Sequence, residues 1–287
     1  MSGAVVEAAP AKVNLDLAVT GRRADGYHDL DSLVVFAALG DRLTLTPADY
    51  LGLEVEGPFA AGTPKGADNL VVRAARRLAA EAGIAPCAHI RLEKNLPVMA
   101  GLGGGSSDAA AALRGLARLW GLNFDRLALG EIGRGLGADV PVCVHARACR
   151  MRGLGERLDP VRGLPDLPIV LVNPGSPVST AAAFGALDPA AFEPCRRPGL
   201  PVRASVVQFG VWLNESRNDL EAPATTLAPA IGAALDALRN EEGCVLARMS
   251  GSGATCFGLF MDETRRDRAA ARLAAAWPRW WVAATTA

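Results

Sequence analysis

The sequence predicts an α+β protein of two domains, and three observations lead there. Strand-like alternation and helix-like periodicity both recur along the chain. Its 287 residues, half of them hydrophobic, suit about two cores rather than one. From about residue 150 the texture changes, with Pro160, Gly163, Pro165 and Pro168 in quick succession. The boundary is placed there, giving domains 1–152 and 153–287.

Val5 to Val19 opens the chain as a strand with one buried face, apolar at Val13, Leu15, Leu17 and Val19. Lys12 and Asn14 fall on the polar side, where a lysine is ordinarily solvated. A turn-rich loop, Thr20 to His28, ends in Tyr27 and His28. The pair is either a loop anchor or a surface that stacks on and hydrogen-bonds a planar heterocycle. Two strands follow at Leu33–Leu39 and Asp41–Thr46. Asn69–Ala82 reads as a helix with Leu70, Ala74 and Leu78 on one face, and His89–Lys94 as another strand.

That strand delivers the chain into Pro97-Val98-Met99-Ala100-Gly101-Leu102-Gly103-Gly104-Gly105-Ser106-Ser107-Asp108. Clustered glycines let the backbone take left-handed angles and pass close to a ligand. A helix follows, capped by Ser106, Ser107 or Asp108 and stopping near Gly121. Strand, glycine loop and helix aim several N–H groups at one point, an arrangement suited to phosphate. It is not a Walker loop, because no Gly-Lys pair occurs in the chain. Nor is it the dinucleotide fingerprint, since Ser106 stands where the last glycine belongs.

A second helix is expected over Phe124–Leu136, and Gly137-Ala138-Asp139-Val140-Pro141 follows it. In isolation Asp139 reads as the cap of a short helix or turn. An apolar segment runs from Val140 to Cys149. Later come a strand at Ile169–Val172, a helix opened by Ser179 or Thr180 and reaching Phe184, and a proline-rich surface loop over 188–210. A helix over Ala228–Arg239, a glycine-serine turn at Ser250–Gly253 entering a strand, and a last helix over 263–275 complete the chain.

Composition narrows the function classes. With 30 basic and 30 acidic residues, the chain lacks the basic excess of a general nucleic-acid binder. No apolar run approaches the roughly 18 residues that span a bilayer, and no signal peptide is evident at the start. The six cysteines form no Cys-x-x-Cys pair, and the three histidines are too scattered for a zinc site. A cytoplasmic protein with reduced thiols is expected.

The glycine loop resembles the ATP-phosphate loop of the GHMP small-molecule kinases. Three further segments carry the resemblance: Pro10-Ala11-Lys12-Val13-Asn14-Leu15 with Arg23 to His28, Leu136 to Pro141, and Met249 to Ala254. The resemblance implies a two-domain fold with the active site in the cleft between domains, and an ATP-dependent kinase using Mg²⁺. It implies a small-molecule alcohol carrying a cytidine diphosphate group as the acceptor. Lys12 and Asp139 match the family's catalytic pair, the carboxylate taking the proton of the attacking hydroxyl and the lysine offsetting negative charge. Pro97, Val98, Met99, Ala100, Gly101, Leu102, Gly103, Gly104, Gly105, Ser106 and Ser107 would hold the triphosphate, with Ser107 also a candidate Mg²⁺ ligand. Tyr27, His28 and Phe184 match positions that hold cytosine, Asn14 and Thr180 line the substrate side, and Gly251, Ser252 and Gly253 match a third motif closing over the phosphates.

Overall fold

The computed structural model describes residues 3–188, 192, 199–201 and 203–287. The chain forms two compact units that interleave in sequence. The first comprises residues 1–12, 39–98 and 103–147, and the second residues 13–38, 99–102 and 148–287.

Strands β1 (Val5–Asn14), β2 (Ala18–Arg22) and β3 (His28–Thr46) open the chain. Two strands were expected over 33–46, but β3 runs unbroken through Gly40. Gly40 makes this possible, since a Cβ there would lie 2.3 Å from the Ala9 carbonyl oxygen. The first segment also departs from the one-faced strand read from its alternation. Every residue from Ala11 to Val19 is buried, with Lys12 4%, Asn14 1% and Asp16 0% exposed. Period-2 alternation marks one apolar face but cannot show that the polar face is covered too.

In the first unit, β4 (Leu51–Glu56) pairs in parallel with β5 (Ala88–Glu93), and β5 pairs antiparallel with residues 42–46 of β3. The connection between β4 and β5 holds helix α1 (Leu70–Ala82). Asn69 caps α1 by accepting from the Val71 N–H at 2.8 Å, and Gly83 ends it at φ 66°. Helices α2 (Gly104–Leu119), α3 (Arg126–Arg134) and α4 (Val140–His145) complete the unit, with α2 packed against α1, α3 and α4. Leu78, Ile90, Leu92 and Leu113 are fully buried in this unit.

In the second unit, residues 30–34 of β3 pair with β6 (Cys149–Gly153), which pairs with β7 (Arg157–Pro160). The apolar segment expected over 140–149 thus divides into a helix and the start of a strand. A second, antiparallel sheet follows the order β11–β8–β10–β9, built from β8 (Pro168–Asn173), β9 (Cys244–Met249), β10 (Cys256–Phe260) and β11 (Trp281–Thr286). Helices α5 (Thr180–Gly185), α6 (Val206–Asn214), α7 (Glu221–Leu227), α8 (Ala230–Arg239) and α9 (Glu263–Ala276) accompany it. Val170, Val172, Ile231, Leu235, Leu238, Phe260 and Leu273 share its core.

The loop expected over 188–210 falls partly on residues 189–191, 193–198 and 202, which lie outside the described residues. Its end is helical, because Ser205 and Gln208 form a capping box that starts α6. Among the described residues no helix is long and apolar enough to cross a membrane.

Candidate active site

The first unit brings Lys12 and Asp139 together. Lys12 stands on β1, and its Nζ lies 2.8 Å from Asp139 Oδ1. Asp139 occupies the N-cap position of α4, but its side chain caps no N–H there. The carboxylate is engaged by the lysine instead. The two side chains differ in access, the lysine being 5% exposed and the carboxylate 37%. A buried ammonium thus backs a carboxylate that solvent can reach.

The glycine loop explains why this region needs residues without side chains. Gly101 and Gly103 adopt φ 73° and 61°, and Met99 between the proline and the glycines takes φ 55°. A Cβ on Gly103 would come within 3.2 Å of Lys12 Cε. The helix after the loop begins earlier than the serines suggested, at Gly104 with Gly103 as its N-cap. Its first turn leaves the N–H groups of Gly104, Gly105 and Ser106 without an intrahelical acceptor, whereas the Ser107 N–H is taken by the Gly103 carbonyl at 2.8 Å. Those three open amides at a helix start favour an anion.

Ser107, the candidate metal ligand, already has a protein partner for its hydroxyl proton. Its side chain is fully buried and its hydroxyl donates to the Pro10 carbonyl at 2.8 Å. Asp108, expected among the caps, is buried as well and accepts from Lys94 Nζ at 2.8 Å. Lys94 also pairs with Asp41, whose Oδ1 accepts from the N–H groups of Asn95 at 2.6 Å and Leu96 at 2.8 Å. One lysine therefore serves two buried carboxylates at the entry and exit of the loop. Burial pushes the Asp108 carboxyl up to about 8, against the pull of Lys94 and with the help of Asp41. Burial alone would lower the Lys94 ammonium, but Asp108 and Asp41 hold it above its ordinary value. Among the described residues no group of three or more His, Cys, Asp or Glu side chains is arranged to hold a metal ion.

In the second unit, Asn14 donates its N–H to Ser250 Oγ at 3.1 Å and its Nδ2 to Ser32 Oγ at 2.7 Å. Its Oδ1 is buried with no hydrogen-bond partner. Ser250 Oγ donates in turn to the Gly101 carbonyl at 3.1 Å, and the Thr255 N–H to that of Ala100 at 3.1 Å. The glycine-serine turn is thereby tied to the apex of the glycine loop. Gly101 must be glycine here, as a Cβ would meet the Ser250 and Gly253 carbonyl oxygens at 2.6 Å. Gly251 lies beside the orphan Asn14 Oδ1, and Ser252 Oγ shares a 2.8 Å hydrogen bond with Thr180 Oγ1.

His28 stacks on Phe184 with ring centroids 4.9 Å apart and an interplanar angle of 23°. Phe192, within the stretch expected to be loop, meets His28 edge-on at 5.7 Å. Burial and then Arg22 lower the imidazole's pKa, so it is neutral at pH 7 and offers one donor and one acceptor nitrogen. Tyr27 projects from the β2–β3 turn at 64% exposure. The aromatic surface exists, though His28 and Phe184 contact each other rather than leaving a slot for a base between them.

Comparison with known proteins gives concordant results. The model for the GHMP kinases N-terminal domain matches residues 69–147, and that for the GHMP kinases C-terminal domain matches residues 202–279. A 4-diphosphocytidyl-2-C-methyl-D-erythritol kinase of Parvibaculum lavamentivorans is 52% identical, covering 100% of this chain and 99% of its own. The enzyme of the same name from Methylobacterium radiotolerans is 54% identical, covering 98% of both chains. A crystal structure of 4-(cytidine 5'-diphospho)-2C-methyl-D-erythritol kinase superposes with a TM-score of 0.79 at 39% identity, covering 98% of each chain. A homoserine kinase from Cytophaga hutchinsonii, 19% identical with a TM-score of 0.73 over 99% of this chain and 95% of its own, shares the fold.

Proposed function

The chain belongs to the GHMP kinase family, and we propose that it transfers the γ-phosphoryl group of ATP to the 2-hydroxyl of 4-diphosphocytidyl-2-C-methyl-D-erythritol. The product is the 2-phosphate, an intermediate of non-mevalonate isoprenoid precursor synthesis. The observation that carries the reading is geometric. Lys12, packed under Gly103 of the phosphate loop, pairs with a solvent-accessible Asp139.

In this reading Asp139 takes the hydroxyl proton as the acceptor oxygen bonds to the γ-phosphorus. The bond from phosphorus to the β–γ bridging oxygen breaks, and ADP leaves with that electron pair. Lys12 offsets negative charge beside the carboxylate. The backbone from Pro97 to Ser107 cradles the triphosphate, with the open amides of Gly104, Gly105 and Ser106 aimed at it. Cytosine is assigned to Tyr27, His28 and Phe184, and the erythritol side to Asn14, Thr180 and the Gly251–Gly253 turn. Mg²⁺ enters as a counter-ion of ATP, with no side chain assigned to it. A cytoplasmic location is part of this reading, and the thiols of Cys143 and Cys256, pushed up in pKa by burial, stay protonated.

A substrate panel tests the function. ATP consumption should be strong with the cytidine-bearing methylerythritol and negligible with homoserine, mevalonate or galactose. Turnover of one of these three in preference to it would contradict the reading.

A further inference from the structure

Arg114 is a buried cation on α2, 8% exposed, that the reaction described above does not use. An arginine inside a small core is costly, and a methionine would fill the space more cheaply. Its three bonded nitrogens explain its presence. Nη2 donates to the Ala8 carbonyl at 2.8 Å, Nη1 to the Cys143 carbonyl at 2.9 Å, and Nε to Glu7 Oε2 at 3.1 Å. Ala8 and Glu7 lie on β1, which carries Lys12, and Cys143 lies on α4, which carries Asp139 at its N-terminal end.

The α4 helix is only six residues long, too short to hold its own direction in water. Its last carbonyls are held from outside, Cys143 by Arg114, and Val144 and His145 by Arg126 Nη1 at 2.6 and 3.0 Å. On β1 the alternate carbonyls of Val6, Ala8 and Pro10 accept from Arg118, Arg114 and Ser107, one stripe of α2. Of these α2 side chains, Arg114 is the one that reaches both elements. A planar guanidinium can address three partners in fixed directions, which an ammonium cannot.

We propose that Arg114 is a positioning residue that sets the separation of Lys12 and Asp139 by bolting β1 to α4. The proposal rests on the catalytic reading of that pair. Loss of the bolt leaves substrate sites intact and misplaces the carboxylate, and a displacement near 1 Å costs on the order of 100-fold in rate.

The test measures kcat, both KM values and the thermal midpoint for Arg114→Lys, Arg114→Gln and Arg118→Met beside the unaltered enzyme and Asp139→Asn. Expected is a fall of about 10- to 100-fold in kcat for both Arg114 variants, with both KM values little changed. Arg118→Met, which loses the Val6 contact and a Glu7 pair but nothing on α4, keeps its kcat. Unchanged kcat in Arg114→Lys, an equal loss in Arg118→Met, an effect on KM alone, or failure of both Arg114 variants to fold would each overturn the proposal. An unaltered protein without turnover, or an active Asp139→Asn, would instead remove the catalytic reading beneath it.

Discussion

Gly103 rests directly against the aliphatic stem of Lys12, so any side chain there would press on the lysine. A methyl group there would lie 3.2 Å from Cε and 3.3 Å from Cβ of the lysine. The loop that would hold the triphosphate and the lysine that would meet the transferred group are thus positioned by one contact.

Gly103→Ala is expected to lower kcat at least tenfold by pushing Lys12 off Asp139. Gly83→Ala supplies the comparison, since Gly83 has φ 66° and open space around its Cβ direction. Both variants should lose about 1 kcal/mol of stability from the left-handed backbone angle, measured by denaturant unfolding. Steady-state kinetics should separate them, with the Gly83 variant retaining full turnover.

The buried carboxyl of Asp108 predicts a pH dependence of stability. Its pKa is raised by burial to about 8, so between its unfolded value and that pH the folded protein binds a proton that the unfolded chain does not. Stability from this group is therefore full below the unfolded value and lost as pH climbs through about 8. The thermal midpoint of the unaltered protein should fall between about pH 4 and 8 and level off above, and Asp108→Asn should flatten that fall. Equal slopes would show that Asp108 does not carry the proton.

Phe184→Ala should raise KM for the cytidine-bearing substrate about tenfold, the value of one lost aromatic contact, and leave KM for ATP unchanged. His28 is kept neutral by burial and Arg22. That KM should be flat above about pH 6.5, the ordinary imidazole value, and should rise in acid as the ring's acceptor nitrogen is protonated.

Much of this was legible in the chain because local rules and tertiary packing agree. The Asn69–Ala82 helix and the glycine loop leading into a helix need only near neighbours. The helix start was misplaced because Ser107 and Asp108 satisfy distant partners, Pro10 and Lys94, in place of their own helix. Burial of Lys12 was illegible for the same reason, since alternation says nothing of what covers the polar face. The Ser205–Gln208 capping box was present in the sequence but hidden by the prolines before it. Arg114 carried no local signal at all, because its partners Ala8 and Cys143 are backbone carbonyls far away in the chain.

The pairing of Lys12 with Asp139 is tested most directly by turnover of Asp139→Asn, assayed alongside ATP binding. Removing the carboxylate's charge while keeping its shape should lower kcat by about a thousandfold, the middle of the range of general-base effects, with ATP affinity within a few-fold of the unaltered protein. Turnover near the unaltered rate would contradict the assignment of Asp139 as the base.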